Sequence, residues 1–228
     1  MANNFLQNLI LFKNLTEEEL KKINQIIEQT NYNRNETVFI EGDPGDAFYI
    51  ILEGLIKVFK TTEQGRDKTL ALLGTGDFFG EMSLLEGKER SASVKALQST
   101  QLYFIERSKF KKLLKDYPEI AFKIIAILSE RLREANNQIQ QLTFSSVEER
   151  LEQKLRELAK KHGWEGKSGV VLPKKITHQE LANLIGSSRV TVTKLLNKLK
   201  EEEKIIIKER YLILPQNDLL EDSQNEDK

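Results

Sequence analysis

The sequence predicts an α+β chain: an antiparallel β-roll first, then one long helix, then a smaller helical unit closed by a hairpin. Three observations predict it. Eight of the twelve glycines lie between Gly42 and Gly87 and separate short β-prone runs. Glycine is then absent from Lys88 to His162, where apolar residues recur at spacings alternating between 4 and 3. Two short amphipathic segments meet at Gly186, and a pair of β-prone runs follows them.

Taken in order, Leu9-Ile10-Leu11-Phe12 reads as part of an ordinary helix. Asn and Gln interrupt the apolar stretch and no basic segment precedes it, so no secretion signal is expected. Thr16-Glu17-Glu18-Glu19 has the pattern of a capping box and opens a helix carrying Leu20, Ile23, Ile26 and Ile27. Thr37–Ile40, Ala47–Leu52, Leu55–Phe59, Thr69–Leu73, Ser93–Ala96 and Gln101–Ile105 read as strands between turn signals, as in a roll or barrel.

Ala121, Ile125, Leu128, Leu132, Ala135, Ile139 and Leu142 then form an a/d seam over three heptads. Such a narrow stripe with polar flanks predicts a two-stranded coiled coil, and so a homodimer. A long helix packed only on its own domain is the other reading. The seam stops at Ser145-Ser146, where either serine can cap a new helix running to about Lys161. Gly163, Gly166, Gly169 and Pro173 mark a loop or small hairpin. Residues 217–228 belong to an acidic tail with few apolar groups, expected to be disordered.

Composition bounds the chemistry. At 228 residues the chain has room for two domains, and its 35 basic residues balance its 35 acidic ones. A nucleic-acid partner must therefore be met by a local basic face. The absence of cysteine excludes disulfides, cysteine-ligated iron–sulfur clusters and thiol redox sensing, and fits a reducing compartment. No apolar run approaches the roughly 20 residues of a membrane span, so no membrane association and a cytoplasmic location are expected. No Cys/His or Ser/His/Asp set, metal-ligand cluster or phosphate-cradling Walker loop is apparent. The chain is expected to be no enzyme, with no catalytic residues, no bound metal and no resident cofactor.

The segment from Thr177 onward carries the first functional signal. Thr177 with Glu180 starts a helix with Leu181, Ala182, Leu184 and Ile185 on its apolar face, and Gly186 supplies a tight turn. Ser187 or Ser188 caps a second helix, Arg189 to Lys200, with Val192, Leu195, Leu196 and Leu199 inward. Two short helices about a glycine turn make a helix-turn-helix, whose second helix enters the DNA major groove. Arg189, Val190, Thr193, Lys194 and Asn197 face away from the apolar stripe, and Thr177, Gln179, Ser188 and Thr191 lie at the helix starts. Arg189 is placed for a bidentate guanine contact. Lys174 to Arg210 holds nine Lys/Arg against five Asp/Glu. Ile205–Ile207 and Tyr211–Leu214 flank a charged turn and read as a wing. A helical hairpin with a merely solvated basic face is the bland alternative.

The second signal is Gly80-Glu81-Met82-Ser83-Leu84-Leu85 followed by Arg90-Ser91-Ala92. Gly80 lets backbone approach a ligand closely. Glu81 can accept from a ribose hydroxyl, and the planar fork of Arg90 suits phosphate oxygens. Ser91 and the N–H of Ala92 can complete an anion nest. Alone, the same spacing also describes a Glu–Arg surface pair on a hairpin.

These motifs, with Gly42-Asp43-Pro44-Gly45-Asp46-Ala47-Phe48-Tyr49 and Gly54, resemble the cyclic-AMP receptor protein / fumarate-nitrate regulator (Crp/Fnr) family over about residues 5 to 215. The resemblance implies a cyclic-nucleotide-binding β-roll sensor domain (1–116), a dimerisation helix (117–145) and a winged helix-turn-helix (146–216). It implies a homodimer on a two-fold-symmetric operator, with RNA polymerase as a further candidate partner. Carried over residue by residue, Gly80, Glu81, Met82, Ser83, Arg90, Ser91 and Ala92 resemble the phosphate-binding cassette of the cyclic-AMP branch. Glu81 would hold the ribose; Arg90 and Ser91 would hold the cyclic phosphate. Where that branch has a Thr–Ser pair reading adenine, this chain has Ala135-Asn136, so one base-reading hydroxyl is missing. Cyclic AMP is the first candidate effector, with its base left open.

Other branches match less well: the iron–sulfur branch needs cysteines, and the haem branch needs a histidine in the sensor domain. The only histidines are His162 and His178, the latter expected on the exposed side of its helix. Ser188-Arg189-Val190-Thr191-Val192-Thr193-Lys194-Leu195-Leu196 looks like the reading helix of the cyanobacterial nitrogen-control branch, with Val190 where the cyclic-AMP branch carries Glu. The leading expectation is a ligand-responsive, sequence-specific DNA-binding transcription regulator. A ligand docked between Arg90 and the seam would reset the pair of Arg189 helices. The competing readings are a ligand-independent DNA-binding regulator with a vestigial pocket, and a nucleotide-binding regulatory subunit for a protein partner.

Overall fold

The structure, a computed structural model, describes residues 2–13, 15–65, 67–173, 176–208 and 211–215, without the side chains of 2–4 and 138–144. The acidic tail and Lys174, Lys175 and Arg210 of the basic stretch lie outside the described residues. Two compact units divide the chain, Met1–Asn136 and Asn137–Lys228.

The first unit begins with α1 (Ala2–Asn8) and α2 (Glu17–Asn24). The roll follows as β1 (Glu28–Tyr32), β2 (Thr37–Phe39), β3 (Ala47–Glu53), β4 (Leu55–Thr61), β5 (Asp67–Gly74) and β6 (Phe78–Phe79). Short α3 (Glu81–Glu86) interrupts it before β7 (Ser93–Ala96) and β8 (Thr100–Glu106). Then come α4 (Arg107–Asp116) and the long α5 (Pro118–Phe144). Two four-stranded antiparallel sheets result, in the orders β1-β8-β3-β6 and β2-β7-β4-β5. Strand alternation gives β3 two jobs. Phe48 and Ile50 join a core with Leu20, Ile23, Phe110, Ile120 and Ile124 of the helices. Ile51, flanked by Tyr49, joins Ile56, Val94 and Leu102 in a second core drawn from both sheets.

Several local expectations are corrected. Leu9–Phe12 is a turn, not a helix: Leu9, Leu11 and Phe12 are all buried. Spacings of 2 and 1 cannot share one helical face. The capping box at Thr16 is present, with the Thr16 side chain accepting from Glu19 N–H, but α2 ends at Asn24. Ile26 and Ile27 lie beyond it, partly buried against the core. Edge strand β1 carries no strand signal because its sequence, EQTNY, is polar; it pairs with β8 alone.

The second unit holds α6 (Val147–His162), β9 (Trp164–Gly166), β10 (Gly169–Val171), α7 (His178–Ile185), α8 (Arg189–Glu201), β11 (Ile206–Lys208) and β12 (Tyr211–Leu214). Ser146, not Ser145, caps α6 in a full capping box with Glu149. The two hairpins are one sheet, β11-β12-β10-β9, because β10 pairs with β12. The sequence presents them as separate hairpins; nothing in either run signals a pairing across forty residues.

Candidate ligand pocket and nucleic-acid interface

The turn into α3 is set by Gly80 at φ 82°. A Cβ there would lie 2.8 Å from Arg90 Nη1 and 3.0 Å from the Ala47 carbonyl, so only glycine lets these groups close on one another. Arg90 is buried, at 4% exposure. Its Nη1 donates to the Gly80 carbonyl and to Ser83 Oγ, both at 3.0 Å. Its Nη2 donates to the Ala47 carbonyl at 3.0 Å and to Asp46 Oδ1 at 3.2 Å. The guanidinium lies 4.1 Å over the Phe39 ring. Its Nε has no partner among the described residues. Burial pulls the Arg90 pKa down, while Tyr49 and Asp46 hold it up. The Tyr49 phenol, stacked on Phe79, is pushed by burial up to about 12.

Glu81 is also buried, at 4% exposure. Its Oε1 lies 3.4 Å from Nη1 of Arg131 on α5, whose Nη2 donates to the Phe78 carbonyl at 2.7 Å. Burial pushes the Glu81 carboxyl above its ordinary value and Arg131 opposes that shift.

An open depression of about 510 Å³ adjoins α3, lined by Met82, Ser83, Glu86, Lys88, Glu89 and Ser91. Three predicted residues thus share it, and Ser91 Oγ reaches Met82 Sδ at 3.6 Å. Glu81 and Arg90 do not line it: each points to protein partners, because a buried charge without a partner is costly. Ala92 is buried, and Ala135 and Asn136 are exposed on α5.

The second unit presents the other site. Thr177 caps α7 and Ser188 caps α8, accepting from the Glu180 and Thr191 amides. Gly186 closes α7 in the left-handed region at φ 67°. Val192, Leu196 and Leu199 are buried, so the opposite face of α8 is free: Arg189, Val190, Lys194 and Asn197 are exposed. Among the described residues neither Arg189 nor Lys194 has an ion-pair partner. Lys198, by contrast, pairs with Glu148 of α6 at 2.7 Å, and Lys204 with Glu152 at 2.9 Å. Lys198 and Lys204 are thus neutralised, whereas Arg189 and Lys194 have no ion-pair partner among the described residues.

Two polar residues sit differently than expected. Thr193 is half-buried and donates to the Arg189 carbonyl at 2.9 Å. His178 is half-buried rather than exposed, its Nδ1 2.9 Å from Thr193 Oγ1, because the first turn of α7 packs over α8 there. Gln179 is exposed, with its amide donating to Asn183 Oδ1.

On α5, Phe122, Ile125 and Leu132 are 72%, 56% and 63% exposed. Leu128, placed in the seam by its spacing, is half-buried and packs against the helical core with Ile124 and Ile127. The helix needs a second apolar stripe for its own unit, and Leu128 falls on that side. The side chains of Ile139 and Leu142 lie outside the described residues.

Residues 29–117 match the family model of the cyclic nucleotide-binding domain, and residues 149–223 that of the Crp-like helix-turn-helix domain. The cyclic AMP receptor protein of Thermus thermophilus is 36% identical over 192 residues, spanning 84% of this chain and 86% of that protein. The chain belongs to the Crp/Fnr family of transcriptional regulators. Other members are similar too. The global nitrogen regulator of Synechococcus elongatus is 33% identical across 79% of this chain and 82% of its own. The solved structure of the c-di-GMP responsive global regulator CLP of Xanthomonas campestris superposes with a TM-score of 0.75 at 25% identity. It covers 88% of this chain and 99% of that one. The expected cyclic-nucleotide-binding domain, long helix and helix-turn-helix are therefore present, in a DNA-binding regulator of transcription and not an enzyme. No helix among the described residues is long and apolar enough to cross a membrane.

Within this Crp/Fnr regulator, sequence reasoning misses Arg131 and Arg150. Arg131 is visible as a polar flank of the α5 repeat, one turn before Ala135, without any sign that it meets Glu81. Arg150 Nη1 donates to the Ser145 carbonyl at 2.7 Å and its Nε to the Ile185 carbonyl at 3.2 Å. It thereby ties the start of α6 to the end of α7.

Proposed function

We propose that the protein is a homodimeric, ligand-responsive regulator that binds a two-fold-symmetric operator and is gated by a cyclic nucleotide, with cyclic AMP the first candidate. The observation that carries the DNA reading is the free face of α8, where Arg189, Val190, Lys194 and Asn197 stand exposed and the two cations lack ion-pair partners among the described residues. Its first turn supplies base contacts and its length supplies phosphate contacts. Dimerisation is supported by the exposed stripe Phe122, Ile125 and Leu132, with Ala135 continuing it. The cytoplasm is the matching compartment, and RNA polymerase a candidate further partner.

Gating rests on the cassette. Glu81 and Arg90 are buried charges beside a depression that holds Ser83 and Ser91. A nucleotide that recruits them shifts the protein toward one arrangement by its differential affinity for the two. The relatives' names mention cyclic AMP and c-di-GMP, so both belong in the screen. The test is DNA binding, read by fluorescence anisotropy on genomic fragments, with and without cyclic AMP, cyclic GMP and c-di-GMP. Tighter binding with one nucleotide, abolished by Arg90→Ala, is the expected result. Equal binding under every condition would overturn gating and leave the second reading, a ligand-independent regulator. That alternative is favoured by one observation: Arg90 makes four hydrogen bonds to its own chain.

A further inference from the structure

Asp46 belongs to the Gly42–Tyr49 motif but holds no place in the cassette. Its side chain is 83% exposed, yet among the described residues it is the carboxylate in ion-pair contact with Arg90, whose side chain is 2% exposed. The four protein acceptors on that guanidinium are unequal. The Gly80 and Ala47 carbonyls belong to backbone fixed by the turn into α3 and by β3. Ser83 Oγ is itself 3.2 Å from the Gly80 carbonyl and packed inside α3. Asp46 alone is an exposed, solvated side chain, and its 3.2 Å contact is the longest of the four. It is the partner that can leave at least cost.

We propose that Asp46 is a built-in competitor for the nucleotide phosphate: its carboxylate holds Nη2 of Arg90 before nucleotide binds and must be displaced for an anion to dock. This rests on the nucleotide reading of the cassette. An incoming phosphodiester monoanion takes the position of one carboxylate oxygen on Nη2 and gains the unpartnered Nε–H beside it. Nε and Nη2 together form the edge of the guanidinium fork that matches two oxygens of one anion. The released carboxylate is not stranded. Asp46 opens onto a groove of about 710 Å³ that Arg107 and Lys111, with Glu106, also line. Asp46 therefore sets affinity and ionic selectivity, favouring ligands whose charge suffices to replace its own.

Calorimetric titration of the full-length protein with cyclic AMP and cyclic GMP tests this. The proteins are the wild type, Asp46→Asn, Arg90→Ala and the double variant, with Arg90→Lys in place of Arg90→Ala if the latter unfolds. Removing an exposed ion-pair partner frees Arg90 by an amount that corresponds to about a two- to fivefold tighter Kd in Asp46→Asn. The gain disappears when Arg90 is also changed. If the wild type binds and Asp46→Asn binds equally or more weakly, the Asp46 proposal fails while the nucleotide reading stands. If no protein of the set binds either nucleotide, the cassette reading fails and takes this proposal with it.

Discussion

On the proposed DNA reading, Arg189 is the residue placed for a base contact, and its neighbour sets what that contact selects. With Val190 next to it, no acceptor is available for a cytosine amino group at that position. Replacing Arg189 by Ala should cost about 1–3 kcal/mol of discrimination at one guanine per half-site. Val190→Glu should create a preference for cytosine nearby, of similar size, because a carboxylate accepts from the N4 amino group. Anisotropy titrations on operators varied one base pair at a time check both, and flat responses would refute them. Thr193 is a poorer reader than its spacing suggests, since its hydroxyl already serves the Arg189 carbonyl and His178. Glu81 makes a pH prediction. Its folded-state pKa is raised, so the folded protein keeps this proton to higher pH than the unfolded chain does. The stabilisation is full below its ordinary 4.5 and is lost as pH rises through the folded value. The melting temperature of Glu81→Gln relative to the wild type should accordingly increase between pH 4.5 and neutrality.

Among the elements, α5 shows how far pattern reading reaches. A strict 4-3 repeat locates the helix and one exposed stripe. It cannot separate residues that serve the chain's own core from those left outside, because both sets are apolar and a helix of 3.6 residues per turn drifts across the repeat. Hence the repeat includes Leu128, half-buried against the chain's own core, and passes over the exposed Phe122. The strands of the roll are legible where β-branched and aromatic residues gather, as in β3 and β8. They are illegible in β1, whose pairing with β8 is dictated by neighbours rather than by its own side chains. The cassette is legible as a set of residue types, but not the direction in which Arg90 and Glu81 point, since that depends on Asp46 and Arg131 arriving from other elements. Two predictions belong here. Leu132→Asp, on an exposed position of the proposed dimer stripe, should leave the fold intact and turn the proposed dimer into a monomer in sedimentation velocity. Gly186→Ala should cost about 1 kcal/mol through the left-handed C-cap of α7, seen as an earlier melting transition.

For the whole molecule, charge is a matter of distribution. Basic and acidic residues balance at 35 each. On the proposed reading, balanced charge weakens long-range attraction to DNA, and affinity rests on the cations of α8 that lack ion-pair partners among the described residues. The slope of log affinity against log salt should be shallow, and Lys194→Ala should reduce it by about 0.9 for the phosphate that this lysine neutralises. An unchanged slope would place Lys194 off the DNA.

The chain has a single tryptophan, Trp164. It sits on β9, edge-on to Tyr211 of β12 at 5.9 Å and 48% exposed. The β-roll contains none. Light emitted at tryptophan wavelengths thus originates wholly in the helix-turn-helix half, while any nucleotide would dock in the other. A change in that emission on adding nucleotide is a label-free readout of communication along the polypeptide, obtained without altering one residue.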